Sequence, residues 1–460
     1  MWWLLEGFGG RQGLNLDKEL TYFCLPSILF LVPSPRKGDF HYQFMKNYQN
    51  STLTNQLNLT TASDVSSEIV TLNLCVKAGA RHESDDQLGY AHLLEHLLLK
   101  GSKRYPSVFS VAVVTDRAGA YLNASTGIEK ITLTVQVAKS ALEQIFKLLA
   151  DLMQNPLFDP TVLENEKKVI KQEIGKIFDS HPERLWLETL PEIFPNHPLN
   201  HHPIGNEASV ASATAEALIG YHHRFFVPQR AALIASGVVT HQQMIDLANK
   251  YLADWSRVEI IEPLVPPPIN PINRPSLKFV VVDSRQTYLN LVFSGPSLDQ
   301  KQRLVLDIIS EYLGHGRTSL LNQELRQKNG LVYSLFVGAI NYQDASLLRV
   351  FTATAEPEQV TKLLLDLTAQ APQNFSDTLL SEYKEQVKNG LRRSLSDPFA
   401  EVGFLASNWL LRGELVTPDE NFALIDTITH ADVVKMWQEY LDKKNLTLVA
   451  LGEKTFTPGF

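Results

Sequence analysis

Two stretches of this chain read alike at one fixed step. Thr214 opens a run that reaches Phe226 and is followed by the apolar segment Ala231 to Gly237. Thr429 opens a similar run to Leu441, followed by Leu446 to Gly452. From 214 to 429 and from 237 to 452 the step is the same, 215 residues. Each copy reads as a capped helix, a short loop and a buried strand ending in glycine. A chain of 460 residues exceeds one ordinary core. The stretch from Pro263 to Pro275, dense in proline, reads as a semi-rigid spacer between the copies. Period-2 alternation marks Ile69 to Val76 and Ile131 to Val137 as strands, and 3.6-residue periodicity marks Lys139 to Met153 and Glu358 to Ala371 as helices. The expected fold is α+β, with two homologous duplicated domains, each an open, mostly antiparallel sheet packed with helices. The expected bounds are 45–256 and 276–456, joined by a linker at 257–275. Residues 1–44 are expected to be an extension, a mis-called start or a disordered segment.

Only the first copy carries His92-Leu93-Leu94-Glu95-His96. On a helix, positions i and i+4 lie one turn apart on one face, so His92 and His96 can bind one zinc ion together. Glu95 then stands where it can reach a zinc-bound water, in the inverted zincin order. The leucines around the motif argue against an ordinary surface helix, because three polar side chains would interrupt an apolar one.

A catalytic zinc takes three protein ligands and leaves a fourth position open. Asp159 and Pro160 read as the N-cap and first position of a further helix. Leu163, Val169, Ile170, Ile174 and Ile177 give that helix an apolar stripe. Glu166 and Glu173, seven apart, share a face beside it. A carboxylate at the edge of an apolar face needs a partner.

His92 to His96, followed by Gly101 and by Tyr105-Pro106, resembles the active-site segment of the pitrilysin (M16) metallopeptidases. That family includes insulin-degrading enzyme and the mitochondrial processing peptidase, and this chain resembles its half-size type. The resemblance covers roughly residues 55 to 455. It implies Glu173, 77 positions past His96, as third zinc ligand, and Glu166 as a second glutamate of the catalytic set beside the metal. It implies one zinc per chain and Glu95 as general base. The segment Ala118 to Thr126 is similar to the family's substrate-pairing edge strand, which gives Asn123 and Ala124 a binding role by β-augmentation. Arg326 and Tyr333, seven apart, match a pair that meets substrate from the opposite half of the chamber. The loop from Leu313 to Ser319 is poorer in glycine than in relatives, and Asp344-Ala345-Ser346 lacks a glycine that relatives often show.

The net charge of −8 argues against nucleic acid or an anionic membrane surface as partner. Two cysteines, Cys24 and Cys75, make no disulfide framework and suit a reducing compartment, so the cytoplasm is expected over secretion or the periplasm. The apolar run Tyr22 to Pro33 is too short to span a bilayer. His197, His201 and His202 lie in a loop without a carboxylate at ligand spacing, and no second metal is expected there. The expected function is a zinc-dependent endopeptidase that cuts peptides or unfolded segments, as a homodimer or paired with a related chain. Two rivals are an inactive structural or binding subunit of the same family and a non-proteolytic zinc hydrolase.

Overall fold

The computed structural model describes residues 46–255 and 275–458. The extension 1–44 and nearly all of the expected linker lie outside the described residues. The first half runs β1 (Asn47–Thr52), β2 (Asn58–Ser63), β3 (Ile69–Val76), α1 (Tyr90–Leu98), α2 (Val108–Ala118), β4 (Tyr121–Thr126), β5 (Ile131–Ala138), α3 (Leu142–Gln154), α4 (Pro160–Asp179), α5 (His181–Ile193), α6 (Glu207–Ser212), α7 (Ala215–Phe225), β6 (Ala231–Gly237) and α8 (His241–Tyr251). The second half runs β7 (Ser276–Val281), β8 (Thr287–Pro296), α9 (Gln300–Gly314), a π-helical segment (Asn322–Lys328), β9 (Leu335–Asn341), β10 (Ala345–Thr354), α10 (Pro357–Asn374), α11 (Asp377–Leu395), α12 (Pro398–Arg412), α13 (Pro418–Asp426), α14 (His430–Tyr440) and β11 (Leu446–Gly452). No helix among the described residues is long and apolar enough to cross a membrane.

The strands form two open sheets, ordered β1-β2-β6-β3-β5-β4 and β7-β11-β8-β10-β9. Without β1, both have the same path. The second strand of each order (β6, β11) joins parallel to β2 or β7, and every other pairing is antiparallel. The duplication read at a step of 215 is thus a duplication of topology. The caps fall where expected: Thr214 and Thr429 accept the N–H of Ala217 and Asp432 and start α7 and α14.

β6 and β11 are buried along their whole length, on both faces. That explains their continuous small and apolar sequences, since a strand covered twice cannot alternate. One face of each sheet packs on helices of its own half. The other face is covered by exchange. From the first half, α5 packs on β8 and β11, with Leu185 against Val449 and Leu451, and Leu190, Ile193 and Phe194 clustered with Val292 and Leu347. From the second half, α12 packs on β3 and β6, where Val402, Leu405, Ala406 and Trp409 meet Cys75, Ala232 and Ile234. Each fully buried leucine contributes on the order of 1.5–3 kcal/mol.

Among the polar clusters that join the halves, two centre on buried charges. The carboxylate of Glu401 on α12 is fully buried and accepts from Lys46 Nζ at 2.8 Å, Tyr48 OH at 2.9 Å and Ser236 Oγ. Arg81, just after β3, binds Glu129 of the first half and Asp344 of the second, the latter at 2.6 Å. Every buried charge here has a partner, as burial demands.

Candidate metal centre

α1 is short and divided cleanly. Tyr90, Ala91, Leu93, Leu94, Leu97 and Leu98 are buried, leaving His92, Glu95 and His96 on the remaining face. The helix starts at Gly89, whose φ of +93° belongs to the left-handed region. A Cβ there would lie 2.9 Å from Val210 Cγ2, so the position admits no side chain that could cap the helix. The cap comes instead from Glu83, 5% exposed, whose two carboxylate oxygens accept the N–H of Gly89 at 2.9 Å and of Ala91 at 2.7 Å. Burial pushes the Glu83 carboxyl up to about 8, against the pull of those two N–H groups.

α4 brings the glutamates. Asp159 accepts the N–H of Thr161 and Val162, with Pro160 in the first turn, as the cap pattern predicts. Leu163, Glu166, Ile170 and Ile174 form its buried face against α1 and the core. Val169, expected in that stripe, is exposed, because its position lies round the helix beyond the edge marked by Glu173.

His92, His96 and Glu173 are the one group of three such donors, among the described residues, whose ligand atoms all lie within 4.8 Å of one another. The two Nε2 atoms are 3.1 Å apart, and Glu173 Oε2 is 3.7 Å from the first and 3.8 Å from the second. Metal–donor bonds of about 2.0–2.1 Å in a tetrahedron put donors about 3.4 Å apart, so this triangle matches a zinc ion in size. The protonation pattern matches too. His96 Nδ1 lies 2.9 Å from Glu166 Oε2, and an ionised carboxylate only accepts, so Nδ1 carries a proton and Nε2 is the nitrogen turned to the triangle. Burial, then the charges of His96 and His202, hold His92 down to about 3, so its imidazole is neutral. Two imidazoles and a carboxylate on one point fit zinc.

Glu166 is not in the triangle. Its second oxygen takes Lys100 Nζ at 2.8 Å. Burial would raise its carboxyl, but the hydrogen bonds from Lys100 and His96 outweigh that and hold it below the ordinary value. Glu95 is also outside the triangle, with Oε2 3.8 Å from His92 Nε2 and 3.2 Å from the hydroxyl of Thr126. Burial raises the Glu95 carboxyl, while His96 and the Thr126 hydrogen bond pull it down. Lys100 and Glu83 were not singled out in the sequence, and Thr126 was read only as part of the substrate-pairing strand. Lys100 is four residues past His96, the spacing of a helical neighbour, and was legible in principle.

β4 lies beside α1 and is an edge strand of its sheet, paired on one side with β5. Asn123 is exposed on it, whereas the Ala124 side chain is buried, so Ala124 offers only its backbone. Arg326 sits in the π-helical segment with its guanidinium 5.4 Å from the centre of the Tyr333 ring, and Tyr333 is 81% exposed. The loop histidines disperse: His197 stands 3.5 Å from Asp344, His201 3.5 Å from Asp85, and His202 accepts the N–H of Ile204. In the second half, the positions 215 residues on from His92 and His96 are Asp307 and Glu311, both on α9. Burial and the charge of Glu311 push the Asp307 carboxyl up to about 7. The imidazole pair is absent from that copy.

Residues 59–206 match the family model described as insulinase (peptidase family M16), and residues 212–387 match the one described as the peptidase M16 inactive domain. An uncharacterized zinc protease of Rickettsia felis is 25% identical over 394 residues, covering 85% of this chain and 94% of that protein. The mitochondrial-processing peptidase subunit beta of Saccharomyces cerevisiae is 26% identical over 435 residues, covering 89% and 92%. Among solved structures, a protease from Helicobacter pylori shares the fold with a TM-score of 0.82 at 21% identity, covering 88% of this chain and all of that one. With a peptidase-type domain that holds the histidine pair, followed by an inactive-type domain of the same topology, the chain belongs to the M16 peptidase family, in its half-size form.

Proposed function

We propose that this chain is a zinc-dependent endopeptidase that cleaves peptides or unfolded protein segments. The observation that carries the reading is the donor triangle of His92, His96 and Glu173 with the carboxylate of Glu95 beside it. His92, His96 and Glu173 would hold one zinc ion per chain, which would supply Lewis-acid chemistry and make the attacking water more acidic. Glu95 takes the proton of the attacking water and passes it to the leaving amine nitrogen. Its burial, which raises the carboxyl, suits a group that must both accept and release a proton. Glu166 holds the Nδ1 proton of His96, so that Nε2 keeps its lone pair.

Substrate adds to the free edge of β4 as a further strand, held by backbone hydrogen bonds and by Asn123. This binding makes little demand on sequence and selects extended chains. The yeast relative is named as a subunit, which supports pairing with a second copy or a related chain. Arg326 and Tyr333, adjacent and outward-facing, then meet substrate in the zinc site of the partner chain. Cys75 is free and buried, in keeping with a reducing compartment such as the cytoplasm.

The test is metal analysis together with cleavage of a quenched peptide library. Wild type is expected to hold one zinc per chain and to cut internal bonds, whereas Glu95→Gln keeps the zinc and loses about 10²–10⁴-fold in rate. Zinc-loaded protein that cuts no peptide would sink the endopeptidase reading and leave a small-molecule hydrolase or a binding subunit.

A further inference from the structure

The two histidines of α1 are held in different ways. The His96 ring is fixed directly, by Glu166 at Nδ1. The corresponding atom of His92, Nδ1, is buried and has no hydrogen-bond partner among the described residues. On the side away from the donor triangle, no side chain orients its ring as Glu166 orients that of His96, and its position there depends on the backbone of the first turn of α1. That turn is the part of a helix whose N–H groups have no partner within the helix. Here Tyr90 N–H bonds the carbonyl of Gln87, and the N–H groups on either side of it, from Gly89 and Ala91, both go to Glu83.

We infer that Glu83 is the positioning residue for His92: its buried carboxyl group locks the first turn of the ligand helix and so sets where His92 Nε2 stands relative to His96 and Glu173. The arrangement is an expensive way to cap a helix, since it buries a polar carboxyl group that an exposed serine or aspartate cap would not. Gly89 excludes the ordinary solution, because its backbone conformation and the approach of Val210 leave no room for a side chain. Ile204 and Gly205 press on Gly89 from the loop before α6, so the turn is fixed from outside as well. Between them, Glu83 and Glu166 hold the two imidazoles, one through the main chain and one through the ring.

This inference rests on the zinc reading above. It is tested with Glu83→Ala, which removes both acceptors, and Glu83→Gln, which keeps one. Zinc affinity is measured by chelator competition, folding by far-UV circular dichroism, and kcat and KM with a quenched peptide. Glu83→Ala is expected to bind zinc about 10–100-fold more weakly and to lose kcat by a similar factor, with KM within about twofold of wild type. Glu83→Gln falls between. Thr240→Ala, which removes the side-chain cap of α8, is the control: it loses stability and leaves zinc affinity unchanged. Folded Glu83→Ala with wild-type zinc affinity overturns the inference. So does wild-type affinity in Glu83→Gln if the alanine variant does not fold. Wild type that binds no zinc overturns the parent reading and this one with it, an outcome distinct from zinc-loaded wild type and variant alike.

Discussion

His96 and Glu166 form a hydrogen-bonded pair at 2.9 Å, and the same carboxylate takes Lys100 Nζ at 2.8 Å through its other oxygen. The pair orients the imidazole and assigns its tautomer, while Lys100 keeps the carboxylate ionised. Glutamine at 166 keeps an oxygen for the Nδ1–H but loses the charge that both neighbours use. Glu166→Gln is expected to lower zinc affinity about 10–100-fold. Glu173→Gln, which turns a proposed ligand into a neutral amide, is expected to lower it further. Chelator competition on the two variants side by side checks the order; the reverse order would exchange the roles of the two glutamates.

Thr126 donates to Glu95 at 3.2 Å, and a donor on a carboxylate stabilises its ionised form. Thr126→Val removes that donor and raises the Glu95 carboxyl. A base must be ionised to act, so the acid limb of kcat/KM is expected to move to higher pH, with zinc content unchanged. A pH–rate profile with an unmoved acid limb would show that Thr126 does not tune Glu95.

Trp409 of α12 is buried in the exchanged interface against the first sheet. Trp409→Ala is expected to cost about 3–5 kcal/mol. Thermal unfolding should stay a single transition, because each half supplies a cover for the other. A chain of residues 46–255 alone leaves Ala62, Cys75, Ala232 and Ile234 uncovered and is expected to aggregate. A soluble, cooperatively folding fragment would contradict the exchange as a folding requirement.

His222 is buried and its ring lies 2.9 Å from the carbonyl of Met153, to which the neutral ring donates through Nε2. Burial holds it down to about 4 and His82 down to about 3. Depressed histidines contribute stability that is present above their unfolded value, about 6.5, and is lost as pH falls through the folded value. The thermal midpoint of the zinc-free protein is expected to drop between pH 6.5 and about 4. His222→Gln, which donates without titrating, should weaken that dependence; identical slopes in the two proteins would exclude His222 as a contributor.

Under the proposed pairing, Glu95→Gln and the double variant Arg326→Ala/Tyr333→Phe are each nearly inactive as pure dimers. A mixed dimer then holds one doubly damaged site and one intact site. Random co-expression makes about half the dimers mixed, so activity should return to roughly a quarter of wild type. Purified mixed dimers without recovery would confine the site to one chain.

Much of this was legible before any fold was known. The i,i+4 spacing of His92 and His96 puts two imidazoles on one face of any helix that forms there, and the leucines around them ensure that it forms against a core. The cap at Asp159 and the step of 215 residues are likewise local or repeated patterns, readable without knowing the packing. Periodicity alone could not separate Glu166 from Glu173. Seven residues are nearly two turns, so both share a face of α4, and the family resemblance made the assignment. The angle at which α4 crosses α1 then sends one to Nδ1 of His96 and the other towards the two Nε2 atoms. Amphipathicity showed that α5 and α12 would bury a face but not that each would bury it on the other half's sheet, because a helix's apolar stripe specifies contact without naming the partner. Glu83 was hidden for the same reason: its role depends on a loop that folds back onto a turn six residues away. Spacing along the chain decided which side chains share a surface, and only tertiary packing decided what that surface faces.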